Sequence, residues 1–389
     1  MSPIPVGVCA IHVIKGAKYR VRGVVETGVT RVDHETDVVV IGAGQAGLSA
    51  AYFLRRAGFA NDTGFVVLDH GRRAGGAWQY RWPSLVLGKV HGIHDLPGME
   101  FGTADTSRPA SEVVSEYFDR FERTFDLPVR RPVDVLSVSY GPEDRLLVAG
   151  AAETWAARAV INATGTWDRP FWPRYPGQET FGGRQLHTAD YTGVDEFRGQ
   201  RVLVVGGGTS AVQLLIEIAT VARDTTWVTR RPPVFHEGPF SEDWGREAVA
   251  KVDRAVRAGK PPASVVSVTD LAYTPEVLKA QADGILDRKP MFERITPSGV
   301  VWADGTETAV DVILWATGFR AAIDHLAPLH LRAPGGGITM DGTRVVAEPR
   351  LHLAGYGPSA STIGANRAGR SAVGEIRKLL REPAGITFR

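Results

Sequence analysis

The sequence predicts an α/β protein built from two parallel-sheet units, the second inserted into the first. Three observations lead there. The stretch "VVVIGAGQAGLS" at 38–49 returns as "VLVVGGGTSAVQ" at 202–213, each an apolar run, a glycine turn and the start of a helix. A second pair, "VINATG" at 160–165 and "ILWATG" at 313–318, ends an apolar run on Ala-Thr-Gly. After the first of these, "RPFWPRYPG" at 169–177 spreads its prolines through an extended crossing.

The 389 residues leave room for two or three domains with a sizeable core. Apolar residues make up 43% and charged residues 23%, and the net charge of +2 gives no reason to expect a nucleic-acid footprint or a polybasic membrane surface. No apolar run reaches the roughly 18 residues a membrane span needs. The start, "MSPIPVGVCAIHVIKGAK", lacks the positive region of a secretory signal. Cys9 is the single cysteine, which excludes an internal disulfide and a two-cysteine redox centre. A cytoplasmic location is expected. Residues 1–35 carry no motif and read as an N-terminal extension of unknown role.

In the first repeat, Val38–Ile41 reads as a buried strand. Gly42, Gly44 and Gly47 then follow at G-x-G-x-x-G spacing, and Leu48, Ala51, Phe53 and Leu54 form the apolar face of a helix. One glycine makes the tight turn, the next lets backbone approach a pyrophosphate, and the third lets helix pack on strand. Gln45 and Ala46 lie in the same turn, where free N–H groups at a helix start face the phosphates. Asp69 ends the next apolar run, "GFVVLDH", about 20 residues past the last glycine, where an acid can accept from ribose hydroxyls. This cradle suits the adenosine of FAD.

The second repeat carries Gly206, Gly208 and Ala211, the G-x-G-x-x-A variant, with Thr209 and Ser210 opening its helix. Its next strand, "TTWVTRR", ends in Thr229, Arg230 and Arg231. Arginine pairs with a 2′-phosphate that an acid would repel, so this cradle suits NADPH; the alternative is a solvated surface pair. The fold class is therefore two Rossmann-like dinucleotide-binding domains, the NADPH domain inserted into the FAD domain. The FAD domain takes 36–168 and 310–389. The NADPH domain takes 169–309 and contains a polar, helix-prone insert at 232–295 that covers the nicotinamide side or shapes substrate access.

Further residues extend the site. Thr164, Gly165, Ala316, Thr317 and Gly318 belong to the two Ala-Thr-Gly junctions. Thr362, Ile363 and Gly364 follow a Gly/Pro/Ser turn and offer N–H groups at a helix start to a reduced flavin, unless that turn merely closes the sheet. His91, His94 and Asp95 cluster without cysteine, so no metal site is expected.

The motifs resemble those of the class B flavoprotein monooxygenases: flavin-containing monooxygenases, plant YUCCA-type enzymes and bacterial relatives. "FGGRQLHTADY" fits F-x-G-x-x-x-H-x-x-x-(Y/F) at Phe181, Gly183, His187 and Tyr191, and Asp311, Ala316, Thr317, Gly318 and Phe319 fit D-x-x-x-x-A-T-G-(Y/F). "LVLGKVHGIHDLPGMEF" at 85–101 is similar to the YUCCA-type segment, and "GGAW", with Gly76 and Trp78, looks like the flavin-contacting loop. The resemblance spans roughly 38–370. Tyr191-Thr192 differs from the Trp-led ending of the Baeyer–Villiger branch and argues against it. The resemblance implies that NADPH reduces FAD, that oxygen adds to form a C4a-hydroperoxyflavin, and that a small organic substrate bearing nitrogen, sulfur or carbonyl is oxygenated. It gives His187 a role in the interdomain linker and places His91, His94 and Asp95 near the flavin as catalytic candidates. An NADPH-dependent flavin reductase or electron-transfer enzyme without oxygen insertion is the alternative. Oligomeric state is not readable.

Overall fold

The computed structural model describes residues 31–90, 93–236, 242–262 and 271–381. The chain divides by its contacts at Val32, and the unit from Val32 onward carries every element described. The first lobe opens with β1 (His34–Ile41), α1 (Gln45–Arg56), β2 (Phe65–Leu68), α2 (Ala110–Thr124), β3 (Val129–Arg130), the hairpin β4 (Val135–Tyr140) and β5 (Leu146–Gly150), and β6 (Thr154–Asn162). The second lobe contributes β7 (Arg184–His187), β8 (Arg201–Val205), α3 (Thr209–Ile218), β9 (Asp224–Val228), α4 (Glu242–Arg257), α5 (Pro275–Ala282), β10 (Arg288–Lys289) and β11 (Val312–Trp315). The chain then returns through β12 (Met340–Asp341), β13 (Arg344–Val345), β14 (Glu348–Leu353) and α6 (Thr362–Arg381).

One sheet runs β12–β13–β14–β6–β1–β2–β3, with β14, β6, β1, β2 and β3 parallel to one another and the β4–β5 hairpin joined antiparallel to β6. The other runs β10–β9–β8–β11–β7, all parallel. Strand alternation distributes the core. Val38 and Val40 face α1, α2 and α6, while Val39 and Ile41 face the hairpin, α4 and residues 326–345. In the second lobe Val202 and Val204 face α3 and α5, and Leu203 and Val205 meet Phe292, Trp302 and Trp315.

Two domain boundaries read from the sequence shift. Val312–Trp315, assigned with the first lobe, pairs in parallel with β8 on one side and β7 on the other, at the middle of the second sheet. An apolar tetrapeptide is compatible with either sheet; only long-range pairing decides between them. His34 and Glu35, read as part of the extension, already pair with Trp155 and Ala156. The insert at 232–295 also divides its allegiance. α4 sends Val252 and Val256 into the first lobe's core, whereas α5 packs with α3.

The two lobes repeat one unit. Gly42 N–H donates to Leu68 O and Ala163 N–H to Ile41 O; Gly206 N–H donates to Val228 O and Ala316 N–H to Val205 O. Each first glycine stands against the alanine of its Ala-Thr-Gly. A Cβ on Gly42 would lie 2.7 Å from Ala163 O, and one on Gly206 2.2 Å from Ala316 O, with φ at +97° and +149°. Both constraints demand glycine.

Gly42→Ala and Gly206→Ala are each expected to destabilise the protein by about 1–3 kcal/mol through forced backbone displacement. Urea unfolding midpoints check this; an unchanged midpoint would show that the close approach is readily relaxed.

Candidate functional site

The two linkers between the lobes lie side by side. Ala322 N–H donates to Gly165 O at 2.9 Å, Arg320 N–H to Arg169 O at 2.8 Å and Phe171 N–H to Gly318 O at 2.9 Å. The Thr317 hydroxyl donates to Phe171 O. Thr164 Oγ1 donates to Ala322 O at 2.6 Å and accepts from Asn162 Nδ2 at 3.0 Å, while His325 Nε2 sits 2.6 Å from Asn162 Oδ1. The hydroxyls of Thr164 and Thr317 are thus engaged within the ribbon, so what these junctions offer a ligand is backbone. Since Gly42 and Gly206 pack on the starts of these linkers, the ribbon brings the two glycine cradles to one place.

At the first cradle, α1 begins at Gly44 with no side-chain cap and no acid in its first turn. Its positive end stays open to an anion. The GGAW loop closes over it: Gly76, at φ +50°, packs so closely that its Cβ would meet Gly44 Cα at 2.8 Å, and Gly75 wedges against Ser115. Trp78 is partly buried against both the α1 cluster and the α3 cluster. α6 packs along α1, with Gln45 Nε2 donating to Asn366 Oδ1 at 3.0 Å and Ser49 Oγ to Asn366 O at 3.2 Å. Gln45 Oε1 is buried with no hydrogen-bond partner among the described residues.

Asp69 is buried and already engaged. Its Oδ1 accepts from Ala43 N–H at 3.3 Å, and its Oδ2 takes Arg131 Nε at 2.6 Å. Arg131 is held bidentately by Glu122, both contacts 2.6 Å. Each Asp69 oxygen keeps a lone pair for a further donor. No short-range pattern in the sequence points to Arg131 or Glu122, because the contact joins residues far apart in the chain.

The 93–101 segment rests on the same helix ends. Gln45 Nε2 donates to His94 O and Asn366 Nδ2 to Asp95 O, while the Asp95 carboxylate accepts Phe101 N–H at 2.7 Å. Asp95, read as a catalytic candidate, is therefore occupied in shaping its own loop. His91 lies outside the described residues. At α6, Ser361 Oγ accepts Gly364 N–H at 3.1 Å, so that N–H, expected to be free, has a partner. Ile363 is exposed.

The second cradle opens α3 at Gly208, again without a side-chain cap. A Cβ on Gly208 would meet no atom within 4 Å, so the space beside it is open. Thr209 and Ser210 begin the helix, and Ala211 is buried where the helix meets the sheet. Arg230 and Arg231 are exposed at the end of β9, and neither guanidinium has an ion-pair partner among the described residues. Thr229 fixes the strand end by donating to Arg231 O at 2.7 Å while Arg288 Nε donates to Thr229 Oγ1 at 2.6 Å.

His187 ties the second lobe to the ribbon. It is fully buried; Ala189 N–H donates to its Nδ1 at 3.1 Å, so the proton sits on Nε2 and is donated to Gly318 O at 3.0 Å. Burial pushes its pKa below the ordinary value. Its ring meets Phe319 edge-on at 4.9 Å, and Phe319 stacks on Trp167 at 5.0 Å. Beside this, Trp82, Leu85 and Ala110 of the first lobe enter one apolar cluster with Leu186, Tyr191 and Phe197 of the second. Trp82 meets Tyr191 edge-on at 5.9 Å.

Comparison with known proteins agrees with this arrangement. The family model described as "Pyridine nucleotide-disulphide oxidoreductase" matches residues 39–244. A flavin-containing monooxygenase from Stenotrophomonas maltophilia is 40% identical, with a TM-score of 0.75 over 89% of this chain and 99% of that one. An uncharacterised CzcO-like oxidoreductase of Geobacillus kaustophilus is 26% identical over 77% of this chain and 88% of its own length. A probable indole-3-pyruvate monooxygenase, YUCCA10 of Arabidopsis thaliana, is 28% identical over 51% of this chain and 53% of its own. The chain belongs to the pyridine nucleotide–disulphide oxidoreductase family and, within it, to the class B flavoprotein monooxygenases. These are FAD- and NADPH-dependent oxidoreductases that act with O2 on small organic substrates. No helix among the described residues is long and apolar enough to cross a membrane.

His325 supplies a pH test of the ribbon. Burial pushes its pKa down to about 4 from an ordinary 6.5. The folded state therefore prefers the neutral ring, and stability present above pH 6.5 is lost as the pH falls toward 4, about 2 kcal/mol by pH 5. Thermal melts at pH 7.5 and pH 5 should show a smaller drop for His325→Gln than for the parent protein. An equal drop would show that this histidine does not carry the acid sensitivity.

Proposed function

We propose that the first cradle holds FAD, that the second holds NADPH, and that the paired linkers keep the two coenzymes facing a common crevice where a small organic substrate is oxygenated. The observation that carries this reading is the duplication of one unit, glycine turn against Ala-Thr-Gly, in two lobes whose linkers pair. The residues present fit both groups. Two helices start uncapped, Gln45 Oε1 is a buried acceptor without a donor, and Gly208 borders open space.

In this reading the N–H groups at the start of α1, from Gly44 to Gly47, take the FAD pyrophosphate, Asp69 accepts from its ribose, and Gln45 Oε1 accepts from a hydroxyl of its chain. The start of α6 would offer the reduced flavin those N–H groups that remain beside Gly364, whose own N–H Ser361 Oγ accepts. Thr209 and Ser210 N–H groups take the NADPH pyrophosphate, and Arg230 and Arg231 take the 2′-phosphate. Flavin reduced by NADPH supplies the activation of O2 and the transfer of one oxygen atom to nitrogen, sulfur or a carbonyl compound. The chain contributes orientation and exclusion of water. Trp82 and Tyr191 seal one side of the junction, and His187 fixes the ribbon by one neutral hydrogen bond. The same reading places the enzyme in the cytoplasm, supported by the lone cysteine.

Steady-state NADPH oxidation with a panel of amines, sulfides and ketones tests the activity. Oxygenated product should form in step with NADPH consumed for at least one class. Hydrogen peroxide as the sole product across the panel would assign the protein to flavin reduction without oxygen insertion. Replacing Arg230→Ala together with Arg231→Ala should raise KM for NADPH about tenfold or more, with a much smaller effect on NADH. Equal losses for the two coenzymes would remove these arginines from the 2′-phosphate.

A further inference from the structure

The loop that closes the first cradle ends in an arginine with no carboxylate partner among the described residues. Arg81 follows directly on the turn Gly76–Tyr80, whose Gly76 packs on Gly44. Its guanidinium carbon lies 4.4 Å from the Trp167 ring centre and 5.7 Å from that of Trp78. Trp167 belongs to the first linker and stacks on Phe319 of the second, so Arg81 sits where the closing loop meets the ribbon. Its side chain makes no hydrogen bond or ion pair among the described residues. The nearest acid along the linker, Asp168, is engaged with His70 at 3.4 Å.

A partly buried cation with no counter-ion among the described residues carries a desolvation cost, and contact with two indoles offsets only part of it. Burial alone pulls this guanidinium down to about 10, with no charged neighbour acting on it. Arginines packed for structure alone are normally anchored by a carboxylate or by backbone carbonyls, as Arg131 is by Asp69 and Glu122. Arg81 has neither among the described residues, and a guanidinium lying over an indole retains N–H donors at its rim that a bidentate acceptor can take.

We propose that Arg81 is an oxyanion-recognition residue of the interlobe crevice, awaiting a phosphate or carboxylate from a bound ligand. Two sources offer that chemistry: the pyrophosphate of the nicotinamide coenzyme and a carboxylate on the oxygenation substrate. Trp167, stacked on Phe319 and with Tyr80 at 6.3 Å, gives Arg81 an aromatic surround.

The test uses FAD-loaded protein and reads binding without turnover, so it stands apart from whether oxygen is inserted. Arg81→Gln and Arg81→Lys are compared with the parent by isothermal titration with NADP⁺, inorganic pyrophosphate, phenylacetate and neutral phenylacetamide. Arg81→Gln should weaken at least one anion tenfold or more while leaving phenylacetamide unchanged, and Arg81→Lys should retain part of the affinity. Loss for NADP⁺ and pyrophosphate together assigns the coenzyme; loss for phenylacetate alone assigns the substrate carboxylate. Ligand-free Arg81→Gln should melt at or above the parent temperature, since an uncompensated charge has gone. Unchanged affinity for all three anions overturns the proposal and leaves Arg81 a packing residue. Should Arg81→Gln fail to hold FAD, the lysine variant decides by the same titrations.

Discussion

Everything in this molecule depends on a backbone-to-backbone approach that occurs twice. In each lobe the first glycine of the turn lies against the carbonyl of the alanine that begins a linker. No side chain fits between them. The turn, the helix that follows it and the departing linker are thereby pinned at one point, and the lobe cannot move its nucleotide cradle without moving its linker. Because the linkers pair with each other through Gly165, Arg169, Phe171, Gly318, Arg320 and Ala322, the geometry of one cradle is passed to the other by hydrogen bonds between main chains.

Around that frame polar and apolar contacts divide the work. The side of the junction at Trp82, Leu85, Leu186 and Tyr191 is apolar and closely packed. The side that faces the helix starts keeps unsatisfied or lightly engaged groups: Gln45 Oε1, the open flank of Gly208, the exposed pair Arg230 and Arg231, and the indole-flanked Arg81. Water satisfies the exposed arginines, whereas a buried acceptor such as Gln45 Oε1 is ordinarily paired. Close apolar packing therefore marks the Trp82–Tyr191 side of the junction, while the helix starts keep polar groups with spare hydrogen-bonding capacity.

Much of this was legible in the residues. The glycine spacings, the repeated Ala-Thr-Gly and the position of Asp69 obey local rules, since turn chemistry and helix starts are set by a handful of neighbours. His187 was recognisable by its motif, although its partner Gly318 was not. What escaped was non-local. Val312–Trp315 could have joined either sheet, and only pairing with β7 and β8 decides. Arg131 reaches Asp69 from the far end of α2, and His325 reaches Asn162 from beyond the second linker. Asp95 and Thr164 read as free functional groups because a sequence does not reveal which polar atoms the backbone has already claimed.

The seating of α4 has a consequence for how such enzymes diversify. Its residues are encoded within the span of the second lobe, yet Val252 and Val256 fill the first lobe's core, and Gly357 leaves just enough room for Val256. Exchange of the inserted lobe between related genes by recombination at the two crossings would tear an apolar plug out of the recipient. The two lobes are thus joined by a shared core as well as by their linkers, and neither is a separable module.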